Sequence, residues 1–396
     1  MPIADQNNQN FILFAQPSIS EQEIQEVVDT LQSGWLTVGP KTHKFEENFT
    51  NYIGCRHSIA VNSCTAGIHL SLIVSEIGSG CEVITTPFTF AATSHVILHA
   101  GAKPVFVDIE KDTFNIAVER IEAAITSKTR AIIPVHIAGH PCDMNEIMSI
   151  AKLHGLFVIE DAAHALAAKY DDRMIGTIGD MTVFSFYATK NITTGEGGMV
   201  TTNNDDFAEK IRLLSLHGIS KDAWKRYSND GNWFYDVIYP GYKYNMSDLQ
   251  AAIGLWQLKQ LDQFQKKRQE YAQIYNEAFK ELPEIEIPYL KDGIEHAWHL
   301  YIIKLNLERL KINRNEFIKA LQAENIGTSV HFIPHHLHTF YQKSFGFKYG
   351  DFPNSEYVYE RVISLPLYPK MSESDLERVI HAIHKIVKLN RKSKIH

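Results

Sequence analysis

The sequence predicts an α/β protein: a mainly parallel sheet with helices on both faces, followed by a smaller α/β domain. Three observations predict it. Seven short apolar runs, at 59–61, 82–85, 104–107, 131–135, 157–159, 182–186 and 199–202, alternate with helical stretches such as Thr65 to Glu76 and Met144 to His154. That is the rhythm of βαβ units. The length, 396 residues, suits one large domain and one smaller one. Hydrophobic residues at 44% and charged residues at 21% are ordinary for a folded chain and exclude a disordered one.

Residues 1–18 form an N-terminal arm, Asn/Gln-rich up to Asn10 and without the charged and apolar blocks of a signal peptide. No run of about eighteen apolar residues occurs, and the reading is a cytoplasmic protein. Cys55, Cys64, Cys81 and Cys142 show neither zinc nor disulfide spacing, which fits a reducing compartment. The net charge of -7 comes with no basic run, so general nucleic-acid binding is disfavoured and any anion site must be local.

Ser20 and Glu23 make a capping box for a helix carrying Ile24, Val27, Val28 and Leu31, which ends at Ser33-Gly34. Trp35 to Pro40 is a loop with apolar residues that must pack on something, and Lys44 to Tyr52 returns to helical spacing. After the seven runs, Ser247 and Gln250 cap a long amphipathic helix carrying Leu249, Ile253, Trp256 and Phe264. A domain border is expected along this helix, giving a large domain at 19–265 and a small one at 266–396. The small domain holds strand-like Trp298 to Leu305, a helix from Asn315 to Glu324 and a terminal helix with Leu376, Ile380, Ile383 and Val387.

Ligands of such sheets bind beyond the carboxyl ends of the strands. No Gly-x-Gly-x-x-Gly or Walker motif appears there, so a dinucleotide or nucleotide-triphosphate site has little support. After the first run, Asn62 to Gly67 opens a helix, where free N–H groups and the Thr65 hydroxyl suit a phosphate or an ordinary N-cap. After the second, Pro87-Phe88-Thr89-Phe90 offers a ring to stack on a flat ligand or to fill the core. The fifth run ends in Glu160-Asp161-Ala162-Ala163-His164, an acid and an imidazole spaced by small residues. A carboxylate in a dry cleft needs a cationic partner, and a protonated pyridine nitrogen is one. The sixth run leads into Ser185 to Asn191 and the turn Gly195 to Gly198, presenting a hydroxyl and the Lys190 amine five residues apart. Lys190 is a surface lysine or a Schiff-base lysine. An anion cradle, a stacking ring, a buried acid, a serine and a lysine together match the several ends of pyridoxal phosphate.

Ser33-Gly34-Trp35, Glu160 to His164, Ser185 to Gly198 and Gly241 to Met246 resemble, in order and over about residues 11–390, the DegT/DnrJ/EryC1/StrS family of nucleotide-sugar aminotransferases. The resemblance implies a fold-type-I aminotransferase, with a large mainly parallel seven-stranded sheet, a small C-terminal domain and a homodimer with shared active sites. It implies that Lys190 carries the cofactor, that Asp161 partners the pyridine nitrogen and that His164 neighbours the ring and its 3-hydroxyl. Phe90 takes the stacking position, where some close relatives carry Trp. Thr65, Ala66 and Ser185 match phosphate ligands, and Asn245 matches one reaching in from the other subunit.

The resemblance further implies transfer of an amino group from L-glutamate to a nucleotide-linked keto sugar, with Lys190 moving the proton in a ping-pong reaction. The 241–246 stretch looks like members that aminate C4. Amination at C3, a sugar dehydratase or lyase on the same cofactor, and a non-catalytic regulator are the alternatives. His331 is the first choice for a sugar contact within His331 to His338. A metal is disfavoured there, because Pro334 breaks the face His331 and His335 would share. The 331–338 histidines are sugar contacts or plain loop histidines, and Trp35 to Gly39 (Trp35 and Thr37 first), His217-Gly218 and Trp224 to Arg226 either line the cleft or serve only loop packing.

Overall fold

The computed structural model describes residues 11–219 and 235–393. All seven apolar runs become strands of one sheet. They are β1 (His57–Val61), β2 (Glu82–Thr85), β3 (Lys103–Phe106), β4 (Thr129–Ile132) and β5 (Phe157–Asp161), then, after the two-residue strands β6 (Lys169–Tyr170) and β7 (Arg173–Met174), β8 (Met181–Ser185) and β9 (Gly198–Thr202). The order is β1-β9-β8-β5-β4-β2-β3. Only β9 runs against the other six, paired antiparallel with β8 and β1. Successive residues along the strands feed two cores: Ile59, Val83, Ile159, Val183 and Val200 one, and Ala60, Ile84, Val158, Phe184 and Met199 the other. The period-2 alternation therefore buries both faces, as a sheet covered on both sides requires.

Helices α1 (Glu21–Ser33) and α2 (Pro40–Ile53) precede the sheet, α3 (Cys64–Val74), α4 (Ala91–His99) and α5 (Met144–His154) connect its strands, and α6 (Asp205–Ser215) follows β9. The Ser20 and Ser247 capping boxes both form. The long helix α7 (Asp248–Phe279) packs on α1 and α2. The 35–40 loop packs on its start: Asp248 N donates to Thr37 O at 3.1 Å, and Asp248 Oδ1 accepts from Thr42 N at 2.9 Å.

Residues of α7 up to Phe264 belong to the large-sheet core, and those from Tyr271 onward to a second core. The expected border near residue 265 stands as a proposal that this handover supports. The second core lies under a three-stranded sheet of β10 (Ile285–Glu286), β12 (Tyr301–Leu305) and β13 (Val362–Leu365), while β11 (Ile294–Glu295) pairs with β6. Helices α8 (Arg314–Ala323) and α11 (Glu373–Asn390) line this core, while α9 (Thr339–Phe345) packs through Tyr341 on Ser94 and Phe106, and α10 (Pro353–Tyr359) through Val358 in the cluster of Phe88. The strand expected from Trp298 begins only at Tyr301, because Trp298 turns into the left-handed region at φ +46°. Ile12 of the arm bridges to Ile326 and enters the second core. Among the described residues no helix is long and apolar enough to cross a membrane.

Candidate active site

The carboxyl ends of β1, β2, β4, β5 and β8 open on one cleft of about 450 Å³, within the range of small-ligand sites. At its floor, Ser63 caps α3 by accepting from Ala66 N at 3.1 Å. The N–H groups of Cys64 and Thr65 have no acceptor within the helix, and Thr65 lines the cleft. Two glycines seat this helix end against the sheet. A Cβ on Gly67 would stand 2.5 Å from Val183 Cγ1, and one on Gly198 would stand 2.7 Å from Cys64 N. Ala66, expected beside Thr65, is buried in the core and its N–H is engaged by Ser63, so it does not face the cleft.

Asp161 ends β5 and is 5% exposed. Its Oδ2 accepts from Thr93 Oγ1 at 2.7 Å and its Oδ1 from Ala163 N at 3.1 Å. Burial pushes its carboxyl up, against the pull of those two donors. Lys190 sits in the connection between the antiparallel strands β8 and β9, with its N–H on Tyr187 O at 2.9 Å. It keeps some surface open to the cleft, yet desolvation brings its ammonium down to about 8, against the opposing influence of Cys64 and Asp161. The Cys64 thiol, also in the cleft, is pushed up by burial and stays neutral.

His164 is buried, and burial, Lys190 and His331 push its imidazolium well down. Ala138 N donates to its Nδ1 at 3.3 Å, so the neutral ring carries its proton on Nε2. Phe90 is 64% exposed at the rim, whereas Phe88 is fully buried in the core. A large ring left open at a strand end suits stacking on a ligand. Ser185 lines the same cleft. His331 joins it from the small-domain side, with Nδ1 on Ser364 Oγ at 2.8 Å and burial pushing it down to about 3.

Trp35, Thr37 and Asn245 do not line this cleft in the single chain. The Trp35 indole folds onto its own turn, donating to Val38 O at 3.0 Å, and Thr37 is exposed. Asn245 accepts from Lys243 Nζ and opens on a separate cavity beside β1 and α6. His217 N donates to Tyr242 O and Gly218 N to Leu213 O instead, each at 2.8 Å, and Trp224 to Arg226 lie outside the described residues. The clustered histidines part company: His335 binds Ser94 at 2.6 Å and His336 binds Glu356 at 2.8 Å. Among the described residues no group of three or more His, Cys, Asp or Glu side chains is placed to hold a metal ion.

Sequence reasoning passed over Thr93, Phe14 and His299, and within the 331–338 stretch it chose His331 and gave Phe332 no role. Phe14 stacks on His331 with centroids 5.5 Å apart, and Phe332 stacks on His164 at 5.8 Å. Thr93 had a findable signal, one helical turn after Thr89 at the start of α4, with the two hydroxyls 2.9 Å apart. The others come from distant segments and carried none.

The arrangement puts an amine with a depressed pKa, an oriented carboxylate, an open ring and a hydroxyl-bearing helix end around one volume. Comparison with known proteins gives the family. The profile of the DegT/DnrJ/EryC1/StrS aminotransferase family matches residues 17–384. The chain is 62% identical over 383 residues to the uncharacterized protein MJ1066 of Methanocaldococcus jannaschii, covering 97% of this chain and 99% of that one. It is 54% identical over 384 residues to the spore coat polysaccharide biosynthesis protein SpsC of Bacillus subtilis, with coverage of 97% and 99%. The sugar aminotransferase candidate Spr1654 from Streptococcus pneumoniae, in its PMP form, superposes with TM-score 0.90 at 36% identity over 96% of this chain and 99% of that one. Helicobacter pylori PseC, an aminotransferase of pseudoaminic acid biosynthesis, does so with TM-score 0.88 at 29% identity over 96% and 100%. This chain belongs to the DegT/DnrJ/EryC1/StrS aminotransferase family.

Proposed function

We propose that the protein transfers an amino group from L-glutamate to C4 of a nucleotide-linked keto sugar, with pyridoxal phosphate as cofactor. The observation that carries this reading is the pairing of Lys190 and Asp161 in one cleft: a desolvated amine at about 8 and a buried carboxylate aimed by two donors. The residues fit the cofactor. Among the described residues Asp161 makes no ion pair, with only the more distant pull of Lys190 and His136 on its carboxylate, and it would hold a protonated ring nitrogen. Phe90 offers the open face for the ring, while Thr65, Ser185 and the first turn of α3 offer donors for the phosphate. When bound, the cofactor supplies an aldehyde that takes up the amine and a ring that accepts an electron pair.

The chain's own groups do the rest. Lys190 Nζ, neutral above about pH 8, takes the proton from the donor's Cα and returns one to the sugar carbon in the second half-reaction. Asp161 keeps the ring nitrogen protonated, and the Nε2–H of His164 is free to donate to an oxygen on the ring. His331 contacts the sugar. The PLP and PMP forms of Spr1654 are the two end states such a two-stage reaction needs, and SpsC and PseC place relatives in saccharide synthesis. The active form is a homodimer, with Asn245, Trp35 and Thr37, which do not line this chain's own cleft, serving the partner subunit's cleft.

Mixing the holoprotein with L-glutamate should bleach the visible cofactor band and yield 2-oxoglutarate, after which a screen of UDP-, GDP- and dTDP-4-keto sugars identifies the acceptor. No spectral change with any amino donor would sink the reading.

A further inference from the structure

One wall of the cleft holds an imidazole and a cation for which the proposed reaction has no role. His299 lines the cleft, is 5% exposed, and lies with its ring 4.4 Å from that of His164. Its Nδ1 is buried without a partner. His164 and His331 each have a nitrogen held by the protein, whereas His299 has neither among the described residues. Behind it, Arg268 of α7 is buried and donates from Nη1 to three carbonyl oxygens: Trp298 at 3.3 Å, His299 at 3.3 Å and Leu367 at 2.8 Å. His299 and Leu367 both line the cleft. Arg268 Nε has no partner, and no carboxylate among the described residues pairs with this guanidinium.

A buried cation without a counter-ion is costly unless an anion arrives with a ligand. The cleft itself does not supply one to Arg268. Among the described lining residues Lys190 is the single Lys or Arg, and the acids Asp161 and Glu196 line the cleft with it. Lys190 must be neutral to move a proton, so it is not available to hold a carboxylate through the reaction.

We propose that His299, seated on the Arg268 carbonyl clamp, is the subsite for a carboxylate of the amino donor; this rests on the reading that the cleft takes an amino acid. Burial, with the charges of Lys190 and Arg268 among the neighbours, keeps the ring neutral. Its Nδ1 lone pair stays in the dry wall, and Nε2–H donates into the cleft. The uncompensated charge of Arg268 then favours an anion over a sugar hydroxyl at that N–H. A phosphate is already provided for at the start of α3, where Thr65 lines the cleft. Arg268 is a positioning residue: it touches backbone carbonyls, and no ligand reaches it directly.

The test uses the holoenzyme with His299→Ala and Arg268→Met, following each half-reaction separately. The L-glutamate concentration giving half-maximal rate should rise at least tenfold in both variants, with the keto-sugar dependence of the second half-reaction within twofold. The dissociation constant of glutarate, a dicarboxylate with no amine, measured by calorimetry, should rise by the same factor, and His299→Gln, which keeps a donor, should recover most of the loss. Should Arg268→Met fail to fold, His299→Ala and glutarate binding decide alone. Unchanged glutamate dependence, or equal loss in both half-reactions, overturns the subsite. A wild-type enzyme inert to every amino donor overturns the aminotransferase reading itself, and this proposal with it.

Discussion

Glu160 and Asp161 are adjacent at the end of β5, face opposite sides of the sheet, and meet different surroundings. Glu160 is 0% exposed and closed off: Oε2 is 2.9 Å from His136 Nε2, while Oε1 accepts from Gly179 N and Thr182 Oγ1, each at 2.7 Å. His136 is fixed in turn, accepting from Cys142 N at 3.0 Å. Asp161 has two donors, Thr93 and Ala163 N, and still lines the cleft. Both are buried acids. One belongs to a complete network that holds the strand ends together, and the other is left short of a cation at a place where a ligand can supply one. What separates scaffold from chemistry here is whether the hydrogen-bond set closes without a ligand.

The largest effects should fall on the open side. Lys190→Ala should abolish the borohydride-reducible cofactor adduct and lower transamination by roughly ten-thousandfold, the upper range of general acid–base contributions. Persistence of the adduct would move the covalent role to another lysine. In the apoprotein, only the neutral amine reacts with an aldehyde or acylating reagent. The reaction rate at Lys190 should therefore rise with pH up to about 8 and then level off; an ordinary lysine continues to gain up to about 10.4. A plateau near the ordinary value would show that burial does not tune this amine.

Asp161→Asn should cost roughly a hundredfold in rate, the worth of a hydrogen bond to a charged group. The stability sign is the opposite of a structural acid's. Burial raises the Asp161 pKa in the folded state, so folding binds a proton there, and above that pKa the carboxylate subtracts from stability. The Asn variant of the apoprotein should melt at the same or a higher temperature at neutral pH. Glu160→Gln should do the reverse. Its amide must turn an NH2 toward either His136 Nε2–H or the Gly179 and Thr182 donors, leaving donor against donor, at about 2–3 kcal/mol. The rate per folded molecule should stay within threefold. If Glu160→Gln were slow but stable, the two carboxylates would have to exchange roles.

The open side was readable in the sequence because its groups follow strands directly. Asp161, His164, Ser185 and Lys190 lie within four or five residues of a strand run, and the rule that ligands gather at carboxyl ends brings them together without any knowledge of packing. Glu160 sits in the same motif, yet its closure depends on His136, Gly179 and Thr182 arriving from three other segments. Phe14 and Phe332 reach the cleft through tertiary packing against the cluster of Phe88, Leu300 and Val362, and His299 from the turn before β12, which no local period records. Whether the first-turn N–H of Ala66 is free depends on the Ser63 rotamer, a matter of side-chain geometry that no local pattern records. Asn245 came from resemblance, and Trp35 and Thr37 from a loop with apolar residues to pack; none of the three lines this chain's own cleft.

The smallest effect tests the hinge of the comparison. Thr93 Oγ1 donates to Asp161 Oδ2 at 2.7 Å and stands 2.9 Å from Thr89 Oγ1, so Thr89 can donate to Thr93 and leave the Thr93 proton for the carboxylate. Thr93→Val keeps the shape and removes that relay. The other donor, Ala163 N, holds only Oδ1. Asp161 should then rotate more freely about its side-chain bonds and lose about 1.4 kcal/mol of alignment, a tenfold drop in the glutamate half-reaction. Thr93→Ser restores the hydroxyl and should restore the rate. If Thr93→Val instead kept the rate and lowered the melting temperature, the Thr89–Thr93–Asp161 chain would be scaffold like the Glu160 network. The reactive set would then shrink to the single N–H of Ala163, with the ligand itself orienting the carboxylate.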